Sequence, residues 1–526
     1  MNWQTTAGAF QVRTLWWTVA LVAGVPADAA PAELSAGRLV VVHNSFAPGA
    51  AEIVEAYVRV HPDLPAENIL DLEDPSIAGL ADVAYDLFVE RIRDPIRRQV
   101  NMIYGLESEG PLCLLLIRGL PHRITDRTSP AVGDDPSAAA LLFSVMGNAS
   151  YASVDSELTL LWQDLEVGER GGRMDSYSDN AIANPYHTQT GGFDAFDRTA
   201  SRTPKRLAPI QGVVWSHDGG GSEHLTAADL LLVSRLDGDS VSDVLAALER
   251  AQHLVINRGR AVAVLDENDI DLPAGGNKEL DDDSLTRPPR QVPAHTGDDY
   301  ERAADMLAAG GWIAVYDGTA RFVSGRDLHR PVIAYLSYGE NHGTDGSEDP
   351  PGDGLYVHDL LLAPGAIFNS IESFNGRSFN GLAPLFRQGQ LAAFVAAGGT
   401  FGIGHVFEPF SFAVADNEIL LESFLNRGLT WAEAAWSAIP VLSWQHVVLG
   451  DPLARVESVV WLPGDLDDDG DVDLADFAEF RRCFGARDLS WMDRCDGADL
   501  DRDGDVDLFD LAVLQRQFGS TGPRRP

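Results

Sequence analysis

Cysteine is scarce in this chain, with three residues among 526. So few thiols exclude a disulfide-dense scaffold, and no His or further Cys lies near Cys483 and Cys495 at metal-ligand spacing. Basic residues are also few: 39 Lys and Arg stand against 79 Asp and Glu, for a formal net charge of −40. Such a chain is repelled by phosphate backbones and anionic lipid, which argues against nucleic acid or membrane as a partner. After the N-terminus no apolar run is long enough for a membrane span. A Walker loop and a strand-anchored dinucleotide fingerprint are missing too. The glycines Gly219, Gly220 and Gly221 in His217-Asp-Gly-Gly-Gly-Ser222 read as a loop. Acids are so numerous that no pair can be singled out as glycosidase carboxylates.

What is present points to a folded, exported protein. Apolar residues make up 45% of the chain and there are eleven Trp, a composition that packs rather than stays disordered. The length exceeds one core, so roughly two to four domains are expected. Arg13, the apolar run Leu15 to Val25 and the small-residue exit Ala27-Asp-Ala29 read as a secretory signal over residues 1–30. Export places the mature protein outside the cell or at its surface, where Cys483 and Cys495 are expected to pair. Cys113 sits inside Leu112-Cys-Leu-Leu-Leu-Ile117 and reads as a core residue.

Between residues 37 and 460, apolar runs alternate with helical patterns. Arg38 to His43, Asn68 to Leu70, Leu112 to Ile117, Asp229 to Val233 and Ala261 to Leu265 read as buried strands. Trp312 to Tyr316, Val332 to Leu336 and Ala366 to Phe368 continue the series. Ala50 to Val60, Val241 to Gln252 and Tyr300 to Ala309 carry helical spacing. This alternation predicts an α/β body with a mainly parallel sheet. Gly, Asp and Pro-rich stretches at 168–204 and 272–299 read as loops, the second separating parts at 37–270 and 298–460.

The clearest pattern lies at the end of the chain. Gly464-Asp-Leu-Asp-Asp-Asp-Gly-Asp-Val-Asp-Leu-Ala-Asp476 is followed, 34 residues on, by Ala498-Asp-Leu-Asp-Arg-Asp-Gly-Asp-Val-Asp-Leu-Phe-Asp510. Calcium takes six to eight hard oxygen ligands, which a short loop supplies from alternate residues around a glycine turn. The first loop offers Asp465, Asp467, Asp469, Asp471 through its carbonyl, Asp473 and Asp476. The second offers Asp499, Asp501, Asp503, Asp505 through its carbonyl, Asp507 and Asp510. After the loops come Leu474, Phe477, Phe480 and Phe484, then Leu508, Leu511, Leu514 and Phe518, at helical spacing and ended by Gly485 and Gly519. Two calcium ions and a small all-α module over 464–520 are the expectation.

This pair of loop-helix units resembles a type I dockerin, with Asp rather than Glu at the twelfth loop position. The resemblance implies calcium-dependent docking to a cohesin-like domain, in the company of extracellular polysaccharide breakdown. After each loop's ninth position stand Leu474-Ala475 and Leu508-Phe509, where dockerins of cellulosomes often carry small hydroxyl residues.

The body resembles an uncharacterised family of secreted bacterial proteins, often found in planctomycetes. Arg118-Gly-Leu-Pro121, Ala152 to Leu158, Asn184-Pro-Tyr186, Ser234 to Gly238, Glu408-Pro409, Trp431 to Ala435 and Leu449-Gly-Asp-Pro-Leu453 carry that likeness. Gly398 to Gly404, Leu429 to Ala434 and Leu449 to Pro452 are similar to the C-terminal half of gingipain-type peptidases, which implies a caspase-like fold. There Ser373-Phe-Asn-Gly376 stands where that family has its Cys, and Tyr338-Gly339 where it has its His, with His342-Gly343 four residues along. Two readings stay open: a remodelled Ser373–His342 pair in a hydrolase, or a fold that has lost its dyad and is no enzyme. Glu372, His405, Glu408 and Asp451 are candidates for an added polar pocket or metal.

Overall fold

The computed structural model describes residues 34–104, 112–125, 152–162, 182–187, 229–252, 254–267, 299–319, 322–339, 356–382, 389–407, 409, 413–459, 462–467, 470–487, 489, 495–501 and 503–521. The expected signal 1–30, Gly219 to Gly221, His342, Glu408 and Asp469 lie outside the described residues, with most of 168–204 and 272–299.

Ten strands share one sheet: β1 (Leu39–His43), β2 (Ile69–Asp71), β3 (Cys113–Ile117), β4 (Leu232–Leu236), β5 (Val262–Asp266), β6 (Ile313–Asp317), β7 (Val332–Ser337), β8 (Leu362–Ser370), β9 (Phe401–His405) and β10 (His446–Leu449). Their spatial order is β6-β5-β7-β8-β9-β10-β4-β3-β1-β2. Pairing is parallel from β6 through β9 and from β4 through β2, while β10 is antiparallel to β9. β10 meets β4 at one register pair, Leu449 with Arg235. The expected α/β body with a mostly parallel sheet is therefore what forms. The sheet runs through both expected parts of the body, since β5 lies between β6 and β7.

The strands are apolar on both faces because both are covered. Val262 and Val264 of β5 enter one core, and Ala263 and Leu265 enter the other. Helices return the chain between parallel strands: Ala50–Val60 after β1, Val241–Arg250 after β4, Asp299–Ala309 after β5 and Gln390–Ala396 after β8. The Val241–Arg250 helix opens on a capping box in which Ser240 and Asp243 satisfy each other's backbone N–H. Among the described residues no helix is long and apolar enough to cross a membrane.

The sequence reading missed β9 and β10 and set β4 three residues early. Two glycines make β9 look like a loop. In the fold they let the strand close on its neighbours: a Cβ at Gly402 would stand 2.3 Å from Leu391 Cδ1 and 3.2 Å from the Phe368 carbonyl.

At the C-terminus, helices Leu474–Cys483 and Leu508–Gln517 flank a small core of Val472, Phe480, Leu500, Val506 and Leu514. Cys483 and Cys495 are disulfide-bonded, and Cys113 is buried outside any disulfide, both as expected. The apolar residues at helical spacing do not form one inward stripe. Phe480 and Leu514 are buried, but Leu474 is 72% exposed, Leu508 68% and Phe509 69%, with Phe477, Phe484 and Phe518 also exposed.

Candidate functional site

Each acidic loop is built around its last aspartate. Asp476 is fully buried, and its Oδ1 accepts from the N–H groups of Leu466 (2.5 Å) and Asp467 (3.1 Å). Its Oδ2 accepts from the Asp473 N–H at 2.6 Å. Asp510 repeats the set with Leu500 (2.6 Å), Asp501 (3.1 Å) and Asp507 (2.7 Å). The first aspartates, Asp465 and Asp499, accept from the N–H groups of Gly470 (3.1 Å) and Gly504 (2.8 Å). Both glycines turn the chain at φ 94°, a left-handed conformation that a side chain would strain. The ninth-position residues Asp473 and Asp507 then cap the helices that follow.

This folding brings carboxylate oxygens of Asp465, Asp467 and Asp476 within 4.8 Å of one another, and likewise those of Asp471, Asp473 and Asp476. In the second loop the groups are Asp499, Asp501 and Asp510, and Asp505, Asp507 and Asp510. Asp503 is described but belongs to neither group; its N–H instead bonds Asp499 Oδ1 at 3.1 Å. The donors are all oxygen, four of the carboxylates are buried (Asp465, Asp476, Asp499 and Asp510), and neither imidazole nor thiolate contributes. That set suits a hard cation such as calcium. Desolvation, then the neighbouring carboxylates, push the Asp501 and Asp505 carboxyls up. A bound cation removes that repulsion.

The loops are tied across the module. Val472 N–H donates to the Ser520 carbonyl (3.0 Å) and Gly519 N–H to the Val472 carbonyl (2.7 Å). Val506 N–H donates to the Ala486 carbonyl (3.0 Å) and Gly485 N–H to the Val506 carbonyl (2.8 Å). Each loop is thus laced to the chain just beyond the other loop's helix, in matching positions.

In the body, polar groups gather where strands end. Ser373 follows β8, is 6% exposed, and makes no side-chain hydrogen bond among the described residues. The next residue, Phe374, has φ 62°, a left-handed conformation costly for a bulky side chain. It is held by its N–H to the Phe407 carbonyl (3.0 Å) and by edge-on packing against the Phe407 ring. Tyr338 is buried against Tyr300, and its N–H bonds the Asp266 carbonyl at 3.1 Å. With His342 outside the described residues, no histidine is seen bonded to Ser373.

Glu372 is fully buried, and its Oε2 accepts from Tyr356 (2.8 Å) and Ser370 (2.7 Å). His405 Nδ1 meets the Glu372 carbonyl at 3.3 Å, and its ring lies 5.2 Å from that of His446, edge-on. Burial, then the His446 neighbour, hold His405 well below its ordinary range, and burial lowers His446 to about 4. Both rings are neutral near pH 7. Asp451 is occupied elsewhere: it accepts from Tyr57 (3.0 Å), His61 (2.7 Å) and Gln252 (3.2 Å). Among the described residues no metal-sized group of ligands includes Glu372, His405 or Asp451. Of the four residues of the expected pocket, Glu372 and His405 adjoin, Asp451 is engaged with Tyr57, His61 and Gln252, and Glu408 lies outside the described residues.

A second cluster was not picked out as a site from sequence. Arg235 of β4 is fully buried and donates to both Asp155 carboxylate oxygens (Nε to Oδ2 2.9 Å, Nη2 to Oδ1 2.5 Å) and to Asp237 Oδ2 (2.9 Å). Burial opposes the Arg235 charge, but Asp155 and Asp237 outweigh it and raise its pKa. Burial raises Asp237 to about 6 in spite of Arg235. Beside it, burial lifts Glu157 to about 7 while Ser443 donates to it. The only outward signal was the charge pair flanking an apolar residue in Arg235-Leu-Asp237.

The segment after β8 links the two clusters. Asn380 N–H donates to the Gly238 carbonyl (3.1 Å), His122 Nε2 bonds the Arg377 carbonyl (3.0 Å), and Phe379 packs on both His122 and Arg235.

No curated protein and no solved structure matches the chain, so no comparison supports the body's resemblances. Residues 463–519, which hold both acidic loops and both helices, match the family model described as the dockerin type I domain.

Proposed function

We propose that this is an exported protein whose C-terminal module binds two calcium ions and docks on a cohesin-like domain, carrying the body as cargo. The observation that carries the reading is the duplicated loop: the same buried aspartate, the same backbone bonds and the same glycine turn, 34 residues apart. Asp465, Asp467, Asp469, Asp471, Asp473 and Asp476 hold one ion, and Asp499, Asp501, Asp503, Asp505, Asp507 and Asp510 the other. The exposed apolar residues Leu474, Phe477, Leu508 and Phe509 supply the contact, because desolvated aromatic and aliphatic anchors carry most interface energy. The proposed division is a signal at 1–30, body parts at 37–270 and 298–460, and the module at 464–520. Extracellular polysaccharide breakdown is the setting this proposal assigns. Calcium titration of the full chain, with capture on immobilised cohesin modules in calcium and in chelator, tests it. Capture that ignores the chelator refutes it.

A second reading is an extracellular hydrolase acting through Ser373, either a peptidase or a glycan-active enzyme. It rests on the strained Phe374 immediately after Ser373 at the end of a central strand. Hydrolysis of peptide or glycan panels that persists in both Ser373→Ala and His342→Ala removes it.

A further inference from the structure

The first acidic loop is fastened to the body through two of its backbone carbonyls. Arg260, in the turn after strand Leu254–Asn257, donates through Nη1 to the Asp465 carbonyl (3.1 Å) and through Nη2 to the Leu466 carbonyl (2.5 Å). Asp476 holds the Leu466 N–H from the other side at 2.5 Å. The Leu466 residue is therefore gripped at its N–H by the loop's last carboxylate and at its carbonyl by the body. Beside this contact lies a cavity of about 230 Å³, lined from the body by Arg260, His329 and Arg330 and from the module by Leu466, Glu479 and Gly497. Arg330 steadies the same turn, donating to the Gly259 carbonyl at 3.1 Å. Among the described residues no body side chain donates to the corresponding carbonyls of Asp499 and Leu500.

We propose that calcium loading of the first loop and seating of the module on the body form one coupled equilibrium through Arg260, while the second loop titrates on its own. The inference rests on the calcium reading of the loops. A planar guanidinium takes two carbonyls only when they are held at fixed spacing. Without a cation the loop's carboxylates repel, the loop loosens, and the fork loses its acceptors. Coupling of this kind is reciprocal: the factor by which docking strengthens the first calcium site is the factor by which calcium strengthens docking.

The test is calorimetric titration of the full chain with calcium, alongside its radius of gyration by small-angle scattering in calcium and in chelator. The wild type should show two calcium transitions and become more compact on loading. Arg260→Ala should weaken one transition by roughly 5- to 50-fold, leave the other unchanged, and abolish the compaction. The paired change Asp465→Ala with Asp467→Ala should also abolish compaction, whereas Asp499→Ala with Asp501→Ala should preserve it. An Arg260→Ala chain with both transitions and the compaction intact overturns the coupling while leaving calcium binding standing. A wild type with no calcium transition removes both. Thermal unfolding of the body, expected unchanged in Arg260→Ala, separates lost seating from lost folding.

Discussion

Replacing Arg235 by Met keeps most of the side chain's volume and removes its charge. Asp155 and Asp237 are then left facing each other's surroundings without a cation, in a site where all three side chains are excluded from solvent. The lost interactions are the two-oxygen grip on Asp155, the 2.9 Å bond to Asp237, the 3.3 Å bond to the Pro121 carbonyl and the stacking over Phe379. Breaking a buried pair by removing one partner costs about 3–5 kcal/mol, because the remaining charge stays uncompensated. Two carboxylates share the Arg235 cation, so the upper end applies. The triple change Arg235→Met, Asp155→Asn, Asp237→Asn should recover at least half of that loss, since it removes the charges along with their partner. Urea unfolding followed by the fluorescence of the buried Trp436 and Trp444 measures both. The pH dependence gives an independent check. The bare carboxyls titrate above their unfolded value of about 3.9, so the folded state binds more protons and stability falls as pH rises. Arg235→Met should therefore regain stability on acidification from pH 7 to 5. A loss under 1 kcal/mol, or one independent of pH, refutes the charge argument.

Other expected outcomes concern separate parts of the molecule. His446 sits at about 4 when folded, against about 6.5 unfolded. Its contribution is complete above pH 6.5 and about 3 kcal/mol is lost as pH falls to 4, so His446→Gln should flatten the acid limb of the stability curve. Glu157 shifts the other way, to about 7. Its folded state keeps a proton the unfolded chain gives up, so stability declines from pH 4.5 to 7, and Glu157→Gln should stabilise at pH 8 but not at pH 4.5. Asp476→Ala should destabilise the module even in chelator, because three backbone N–H groups lose their acceptor, whereas Asp501→Ala should do so only in calcium. Reducing the Cys483–Cys495 bond, which spans 12 residues, should cost the module about 3 kcal/mol, read as a lowered melting temperature in chelator.

The acidic loops were legible because their chemistry is local: ligand spacing, glycine turn and capping aspartate all fall within twelve residues. The parallel strands were legible for the same reason, since burial on both faces leaves continuous apolar runs such as Leu112 to Ile117. What sequence hid depends on contacts far along the chain. β9 is a strand only because Leu391 and Phe368 close on its glycines, and Arg235 matters only because Asp155, 80 residues earlier, meets it. The helices of the module misled in another way. Helical spacing marks which residues share a face but not whether anything covers that face, and Leu474 and Leu508, each at the start of its own helix, stay exposed.

The position of β10 also shapes how the chain is made. Residues 446–449 sit mid-sheet, between strands completed more than forty and more than two hundred residues earlier. Until they emerge, β9 and β4 have bare inner edges, and unpaired edges invite wrong partners. The body's sheet is thus closed by one of its last pieces, immediately before the module at 463–519 follows. A chain truncated before residue 446 would lose both the docking module and the strand that joins its two sets of parallel strands. Incomplete copies would be left open to proteases as well as without an anchor.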